Sequence, residues 1–95
     1  HMARKPNKET REQYKKCASF GCVVCAKVYG CENTECEIHH LTGAGLGLRN
    51  EKEFFGLCYR HHRGEDGVHH NTKIFEERFG TQKDLLLWYK EKNNV

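Results

Sequence analysis

The sequence is poor in apolar residues and contains no long hydrophobic run. Only 37% of its 95 residues are hydrophobic, and it has a single proline. A chain of this length forms one domain, near the lower limit at which a hydrophobic core can carry a fold unaided. The core should therefore be small, and small cores are commonly reinforced by disulfides or by metal ions.

Signals for export, membrane insertion and repeated architecture are also missing. The chain shows no signal peptide, transmembrane run, internal repeat or low-complexity tract, and His1-Met2 is taken as a cloning remnant. We therefore expect a cytoplasmic protein that does not associate with membranes. In a reducing cytoplasm, disulfides are disfavoured.

Cysteine and histidine, in contrast, are abundant, with six and seven copies. Cysteines mixed with histidines at two-residue spacing fit zinc better than a disulfide framework, which would not need the histidines. Two close pairs from separate elements supply the closed tetrahedral set of a structural zinc site. The predicted ligands are Cys22, Cys25, Cys58 and His61. Cys31 or Cys36 could replace one of them, and Cys17 is expected to be buried in a helix.

The distribution of apolar, capping and glycine residues predicts a small α+β fold. Residues 22–25 should form a tight knuckle, 26–35 a turn-rich stretch and 42–50 a glycine-rich loop. Helices are predicted at 7–19, from 59 onward, from Asn71 or Thr72 to Phe79 and from Thr81 to about Lys92, and short strands at 36–41 and 54–57. In the last helix, the core should include Leu85, Leu86, Trp88 and Tyr89.

Two His-His pairs, at 39–40 and 61–62, indicate chemistry beyond a structural site. Adjacent residues of one element point in different directions, so each pair can serve two tasks. With His61 given to zinc, His39, His62 and His70 could hold a further divalent ion. His40, pointing away from that ion, could activate water as a general base. An ion with so few protein ligands keeps positions open for water and a phosphate oxygen. The alternative is that these are ordinary surface histidines.

Basic residues are placed where they could contact phosphate groups. Residues 3–16 contain six basic and two acidic side chains. Arg49 lies in the glycine-rich loop, and Arg60 and Arg63 flank the second histidine pair. Such contacts would position a nucleic acid without identifying its base sequence. The simpler interpretation is that these charges are solvated at the surface.

Several motifs occur together in a characteristic order. They are Cys22-x-x-Cys25, EIHHLTGAGLGLR at 37–49, LCYRHHR at 57–63 and GVHH at 67–70, followed by Phe-Glu at 75–76 and Phe-Gly at 79–80. A Cys-x-x-Cys, a strand with His-His and a Leu-Cys-x-x-His-His helix start resemble an HNH (His-Me finger) endonuclease. The longer motifs are similar to the phage recombination-enhancement (Ref) nucleases. The likeness spans roughly residues 20–90 and is more specific than a bare HNH match.

The resemblance implies a zinc-stapled ββα-metal core with flanking helices and an endonuclease that hydrolyses DNA phosphodiester bonds. A basic arm or helix at 1–19 would precede a zinc-containing nuclease domain at 20–95. Beside the structural zinc, the catalytic ion would be a divalent metal such as Mg²⁺ or Mn²⁺, with Zn²⁺ as a possible occupant. Partners would be DNA and a RecA-type recombinase filament, and we expect a monomer.

Roles carried over from the resemblance divide the histidines. His39 would be the first ligand of the catalytic ion, His40 the general base and His62 the ligand from the helix. His70 would be the last ligand, with His69 as its rival. Glu53 occupies the place where HNH enzymes carry asparagine, and its carboxylate could orient His40 or bind metal directly.

Two other functions remain open at this point. A zinc-knuckle module that binds DNA without cleaving it would share the basic surface and the zinc ligands. A protein-interaction domain stapled by zinc would neither bind nor cleave DNA. Cleavage with added magnesium or manganese separates the first of these from an endonuclease.

Overall fold

In the computed structural model, which describes residues 7–41 and 53–94, helices surround a two-stranded antiparallel sheet. This confirms the predicted small α+β class. Within these residues, no helix combines the length and apolar character needed to cross a membrane. The elements are α1 (Lys8–Phe20), α2 (Val23–Tyr29), β1 (Glu37–His40), β2 (Phe54–Leu57), α3 (Tyr59–His62), α4 (Thr72–Phe79) and α5 (Gln82–Asn93).

Strand β2 is buried along its whole length, and helices α1, α2, α3 and α5 all contact it. Burial of every residue explains why its sequence is a continuous apolar run instead of an alternating one. Its pairing with β1 sets His39 opposite Phe55 and His40 opposite Phe54. A Cβ atom at Gly56 would lie 2.6 Å from the Cys36 sulfur, so only glycine fits there.

The core lies between the sheet and the helices that cover it. Phe55 and Leu57 of β2 are fully buried, together with Leu85 and Leu86 of α5. Phe20 at the end of α1 packs against the rings of Trp88 and Tyr89, with its ring centroid 5.9 Å and 5.2 Å from theirs. Leu85, Leu86 and Tyr89 of the last helix therefore belong to the core and Trp88 packs against it, as predicted, whereas Leu87 is exposed.

The predicted capping residues begin three helices. The Asn7 side chain accepts a hydrogen bond from the backbone of Thr10, and Asn71 accepts one from Ile74. Thr81 accepts one from Asp84. Between α4 and α5 the chain passes through Gly80, whose φ of +105° favours glycine. These caps satisfy backbone N–H groups that have no partner inside the helix.

Helix α2 replaces the predicted knuckle and part of the predicted turn-rich stretch. The Cys22 sulfur caps it by accepting a hydrogen bond from the Cys25 backbone, and Val23 and Val24 are fully buried. Gly30 ends it in the left-handed conformation, its N–H donating to the Cys25 carbonyl. The prediction was wrong here because a cysteine is an uncommon N-cap and β-branched valines favour strands.

Candidate metal centres

Three cysteines and a histidine converge at the amino ends of two helices. Their ligand atoms all lie within 4.8 Å of one another, and the residues are Cys22, Cys25, Cys58 and His61. Cys22 and Cys58 are the N-caps of α2 and α3, and each partner lies three residues later, in the first turn. This repeated arrangement brings two cap-and-first-turn pairs face to face.

The distances in this cluster match a tetrahedral zinc site. His61 Nδ1 lies 3.7 Å from the sulfurs of Cys22 and Cys25 and 3.2 Å from that of Cys58. The Cys25 and Cys58 sulfurs are 3.9 Å apart. Ligand atoms on a zinc tetrahedron are separated by about 3.6–3.8 Å, given the usual zinc–ligand bond lengths. The donor set therefore fits a zinc ion without large rearrangement.

Burial also determines the protonation of the cluster when no ion is bound. Burial raises the pKa of the Cys22 thiol to about 12 and raises that of Cys25 as well. Burial lowers the pKa of His61, which keeps its imidazole in the neutral, metal-binding form. A thiolate in this position requires a compensating positive charge, and a divalent metal supplies it.

The other cysteines lie elsewhere. Cys31 is exposed, and Cys36 donates to the carbonyl oxygen of Cys17 at 3.6 Å. Cys17 is buried in α1 and donates to the Tyr89 hydroxyl, in line with the prediction of a buried helix cysteine. Neither Cys31 nor Cys36 is among the four clustered residues. The geometry therefore does not support either of them as a replacement for one of the predicted ligands.

A second cluster consists of three histidines. The ligand nitrogens of His39, His62 and His69 lie within 4.8 Å of one another, and their ring centroids are 4.7–5.2 Å apart. His39 comes from β1, His62 from α3, and His69 from the segment that follows α3. His39 is 1% exposed whereas His69 is exposed, so the cluster opens to solvent on one side.

His39 carries a buried nitrogen with no partner. Its Nε2 lies 2.7 Å from Gln82 Oε1, while its Nδ1 makes no hydrogen bond. Burial lowers the pKa of His39 to about 4, so the ring is neutral near pH 7 and one nitrogen keeps a lone pair. An orphaned lone pair beside two further imidazoles suits a divalent metal ion.

His62 is oriented by a carboxylate. Its Nδ1 lies 2.7 Å from Glu37 Oε1, and Arg63 binds the same carboxylate through Nε at 3.0 Å and Nη2 at 2.6 Å. Arg63, and then His62, lower the pKa of Glu37 to about 2, so this group is ionised at neutral pH. A carboxylate that accepts from Nδ1–H leaves Nε2 to bind a metal.

The structure brings His69, and not His70, into the histidine cluster. Gly67 passes so close to α3 that a Cβ there would lie 2.7 Å from the His62 carbonyl. The backbone N–H of His69 then donates to that same carbonyl at 3.0 Å. His70 is exposed and lines a separate surface pocket with acidic Asp66 and basic Arg78. The geometry therefore favours His69 as the third ligand, whereas the sequence analysis placed His70 ahead of it.

His40 occupies the next position of β1, where strand alternation turns it away from His39. Its Nε2 is 3.3 Å from the Tyr14 hydroxyl of α1, and its ring packs on Phe54 at a centroid distance of 5.4 Å. Glu53 precedes β2, and its carbonyl accepts from the Leu41 backbone at 3.1 Å. This places Glu53 one pair beyond His40, and its role stays a prediction.

The predicted phosphate-binding arginines differ in their surroundings. Arg60 donates to Asp66 at 2.7 Å, which also accepts from Arg78, and Arg63 is held by Glu37. Arg49 and the glycine-rich loop at 42–50 lie outside the described residues. Four basic side chains of the amino-terminal segment are exposed on α1, namely Lys8, Arg11, Lys15 and Lys16.

A family model described as recombination enhancement, RecA-dependent nuclease matches residues 6–94. This chain belongs to that family. The family name denotes a nuclease that depends on RecA, which agrees with the class expected from the sequence motifs. The comparison with curated proteins gives no match.

In this member of the RecA-dependent nuclease family, sequence reasoning missed several residues that contact the predicted ones. Glu37 and Gln82 hold the rings of His62 and His39, and Tyr14 meets His40. Glu37 stands only two residues before His39, so its position in a strand beside the ligands was a usable signal. Gln82 and Tyr14 are distant in sequence, by 43 and 26 residues, and no spacing rule points to them.

Proposed function

We propose that this chain is an HNH-type endonuclease that uses a divalent ion to hydrolyse phosphodiester bonds of DNA engaged by a RecA filament. The observation that carries the proposal is the buried Nδ1 of His39, which has no hydrogen-bond partner although the ring belongs to a cluster with two further imidazoles. A purely structural histidine would be expected to satisfy both of its ring nitrogens.

The order of elements supports an HNH-type centre. Strand β1, strand β2 and helix α3 follow one another, and the first and last of them carry His39 and His62. The four-ligand cluster fixes α3 through His61, the residue directly before His62. We therefore assign the ββα-metal core to residues 37–62 and structural zinc to the Cys22, Cys25, Cys58 and His61 set.

His39, His62 and His69 would hold the catalytic ion and leave coordination positions open. When bound there, a divalent ion supplies electrostatic stabilisation of the leaving oxygen. The ring of His39 is neutral near pH 7 and keeps a lone pair, and the Glu37 carboxylate at Nδ1 of His62 leaves its Nε2 as the ligand atom. His69, exposed on the open side, completes the set where a phosphate can approach.

His40 would act as the general base that removes a proton from the attacking water. It adjoins the ligand His39 along β1 and belongs to neither metal cluster. The Tyr14 hydroxyl and the Phe54 ring hold it in place. Glu53 lies one position beyond and would help to orient it. The exposed cations of α1, with Arg49, Arg60 and Arg63, would contact DNA phosphates.

The proposal is tested by incubating the protein with single-stranded and with supercoiled DNA. Each substrate is offered with Mg²⁺ or Mn²⁺, in the presence and absence of a RecA filament. We expect cleavage that requires the divalent ion and the filament. DNA binding without cleavage under every condition would instead support a non-catalytic zinc-knuckle module.

Replacement of the base provides the sharpest single variant. His40→Ala should reduce the cleavage rate by about 10²–10⁴-fold, the usual contribution of a general base, while both metal sites remain loaded. His70→Ala is the matched control, because His70 is exposed and outside both clusters, and it should cleave at the normal rate. Normal cleavage by His40→Ala would remove His40 from the mechanism.

A further inference from the structure

We propose that Gln82, backed by Glu76, is a positioning residue that fixes which nitrogen of His39 is offered to the metal. The inference rests on the proposed histidine metal site. It assigns a part of that site to the junction of α4 and α5, which lies about forty residues from His39 along the chain. Neither residue bears on the zinc cluster.

The carboxylate of Glu76 determines how the Gln82 amide is oriented. Gln82 Nε2 lies 3.4 Å from Glu76 Oε2, and a carboxylate can only accept hydrogen bonds when it is ionised. The amide nitrogen must therefore face Glu76, and the amide oxygen must face His39. The side-chain orientation, which is ambiguous for an isolated glutamine, is settled by this neighbour.

The amide orientation in turn determines the tautomer of His39. Gln82 Oε1 is an acceptor 2.7 Å from His39 Nε2, so that nitrogen must carry the proton. Nδ1 then keeps its lone pair, and it is the atom that has no hydrogen-bond partner. The opposite tautomer would set two lone pairs against each other and would bury an N–H without an acceptor.

The supporting residues are themselves held firmly. Gln82 is 5% exposed and is the first residue of α5, and its backbone N–H also donates to Glu76 Oε2, at 3.2 Å. The N-cap Thr81 fixes the start of the same helix. The carboxylate, the amide and the imidazole therefore form a chain of hydrogen bonds that ends at the ligand atom.

Two variants test this chain while the structural zinc stays in place. Gln82→Met removes the side-chain hydrogen bonds to His39 and Glu76 and keeps a side chain of similar length. The double variant Glu76→Gln/Gln82→Glu exchanges the two groups, so that residue 82 again presents an oxygen to His39 and residue 76 becomes the amide donor. Lys83→Met is the control for an exposed position on the same helix.

The readout is Co²⁺ binding to the zinc-loaded protein, followed by the visible absorption of the histidine-bound ion. We expect Gln82→Met to weaken Co²⁺ binding by about 10–100-fold and to alter the spectrum, the usual effect of losing such a partner. The exchanged double variant should recover most of the affinity and the spectrum, and Lys83→Met should match the wild type. Unchanged binding by Gln82→Met, or no recovery in the double variant, would overturn the proposal.

A second measurement needs no variant and no metal ion other than the structural zinc. Long-range ¹⁵N–¹H NMR of the zinc-loaded wild type should show His39 protonated at Nε2, and protonation at Nδ1 would refute the inference even if Gln82→Met fails to fold. Wild-type protein that binds Co²⁺ but never cleaves DNA would contradict the nuclease proposal and leave this inference standing. Wild-type protein that binds no Co²⁺ beside the zinc would overturn both.

Discussion

At the scale of single residues, each ligand histidine depends on the neighbour that orients it. His61 is surrounded by three sulfurs, His62 is held by Glu37, and His39 is held by Gln82. His61 and His62 are consecutive in α3, yet each ring is held by different partners. Outer partners of this kind often matter nearly as much for metal affinity as the ligands themselves.

Removal of the Glu37 carboxylate should weaken the histidine site selectively. We expect Glu37→Ala to reduce divalent metal affinity there by about 10–100-fold, because His62 loses the acceptor for its Nδ1–H. The structural zinc should be retained, since Glu37 is not among its ligands. Competition with a chromophoric chelator measures both affinities.

The control for this change is Glu35→Ala, which removes an exposed carboxylate two residues away. It raises the net charge by one unit, as Glu37→Ala does, and should leave both metal affinities unchanged. An equal loss of affinity in the two variants would show that Glu37 acts only through its long-range charge.

At the scale of elements, two glycines with positive φ determine how α2 is delimited. Gly30 ends the helix at φ +69° with no atom near its missing Cβ, whereas a Cβ at Gly21 would lie 2.6 Å from the Thr34 backbone nitrogen. Gly30→Ala should therefore cost about 1 kcal/mol of unfolding free energy, the price of a left-handed alanine.

Gly21→Ala should cost more than Gly30→Ala, because Gly21 at φ +90° and ψ −163° lies in a region that is nearly restricted to glycine, and a Cβ there would also clash with the backbone. Urea unfolding of the zinc-saturated variants gives both values under one condition. Equal costs would mean that the segment around Thr34 can move aside freely.

The same elements show what the sequence could and could not predict. Cap residues such as Asn71 and Thr81 correctly predicted where their helices begin. The Cys-x-x-Cys and Cys-x-x-His spacings predicted a four-ligand set, and the ligand atoms of that set do lie close together. Helix α2 was missed because valines mimic a strand. The sequence could not show that His69 lies beside His39 and His62, because this depends on how closely Gly67 approaches α3, which is a tertiary contact.

At the scale of the whole molecule, we expect folding to depend on metal, because the core is small. A domain of this size buries too little apolar surface for a wide margin of stability, whereas a structural zinc contributes roughly 10 kcal/mol in comparable small sites. The four-ligand cluster lies at the amino ends of α2 and α3, so an ion bound there would link two helices that are distant in the sequence.

Removal of zinc should therefore unfold the protein. We expect a strong chelator, or the variant Cys58→Ser, to abolish the near-ultraviolet circular dichroism of the packed aromatic residues. Cys31→Ser is the control, because Cys31 is exposed and outside the cluster. A zinc-free protein, verified by metal analysis, that keeps its aromatic signal would show that the core suffices.

Helix α3 has a consequence for how this chain can vary in length. It spans only four residues, and its last two, His61 and His62, face separate clusters. An insertion or deletion of one residue before them would rotate both side chains by about 100° around the helix. Both centres would lose a ligand in a single step, so this turn should tolerate substitutions at Tyr59 or Arg60 far better than any change in residue count.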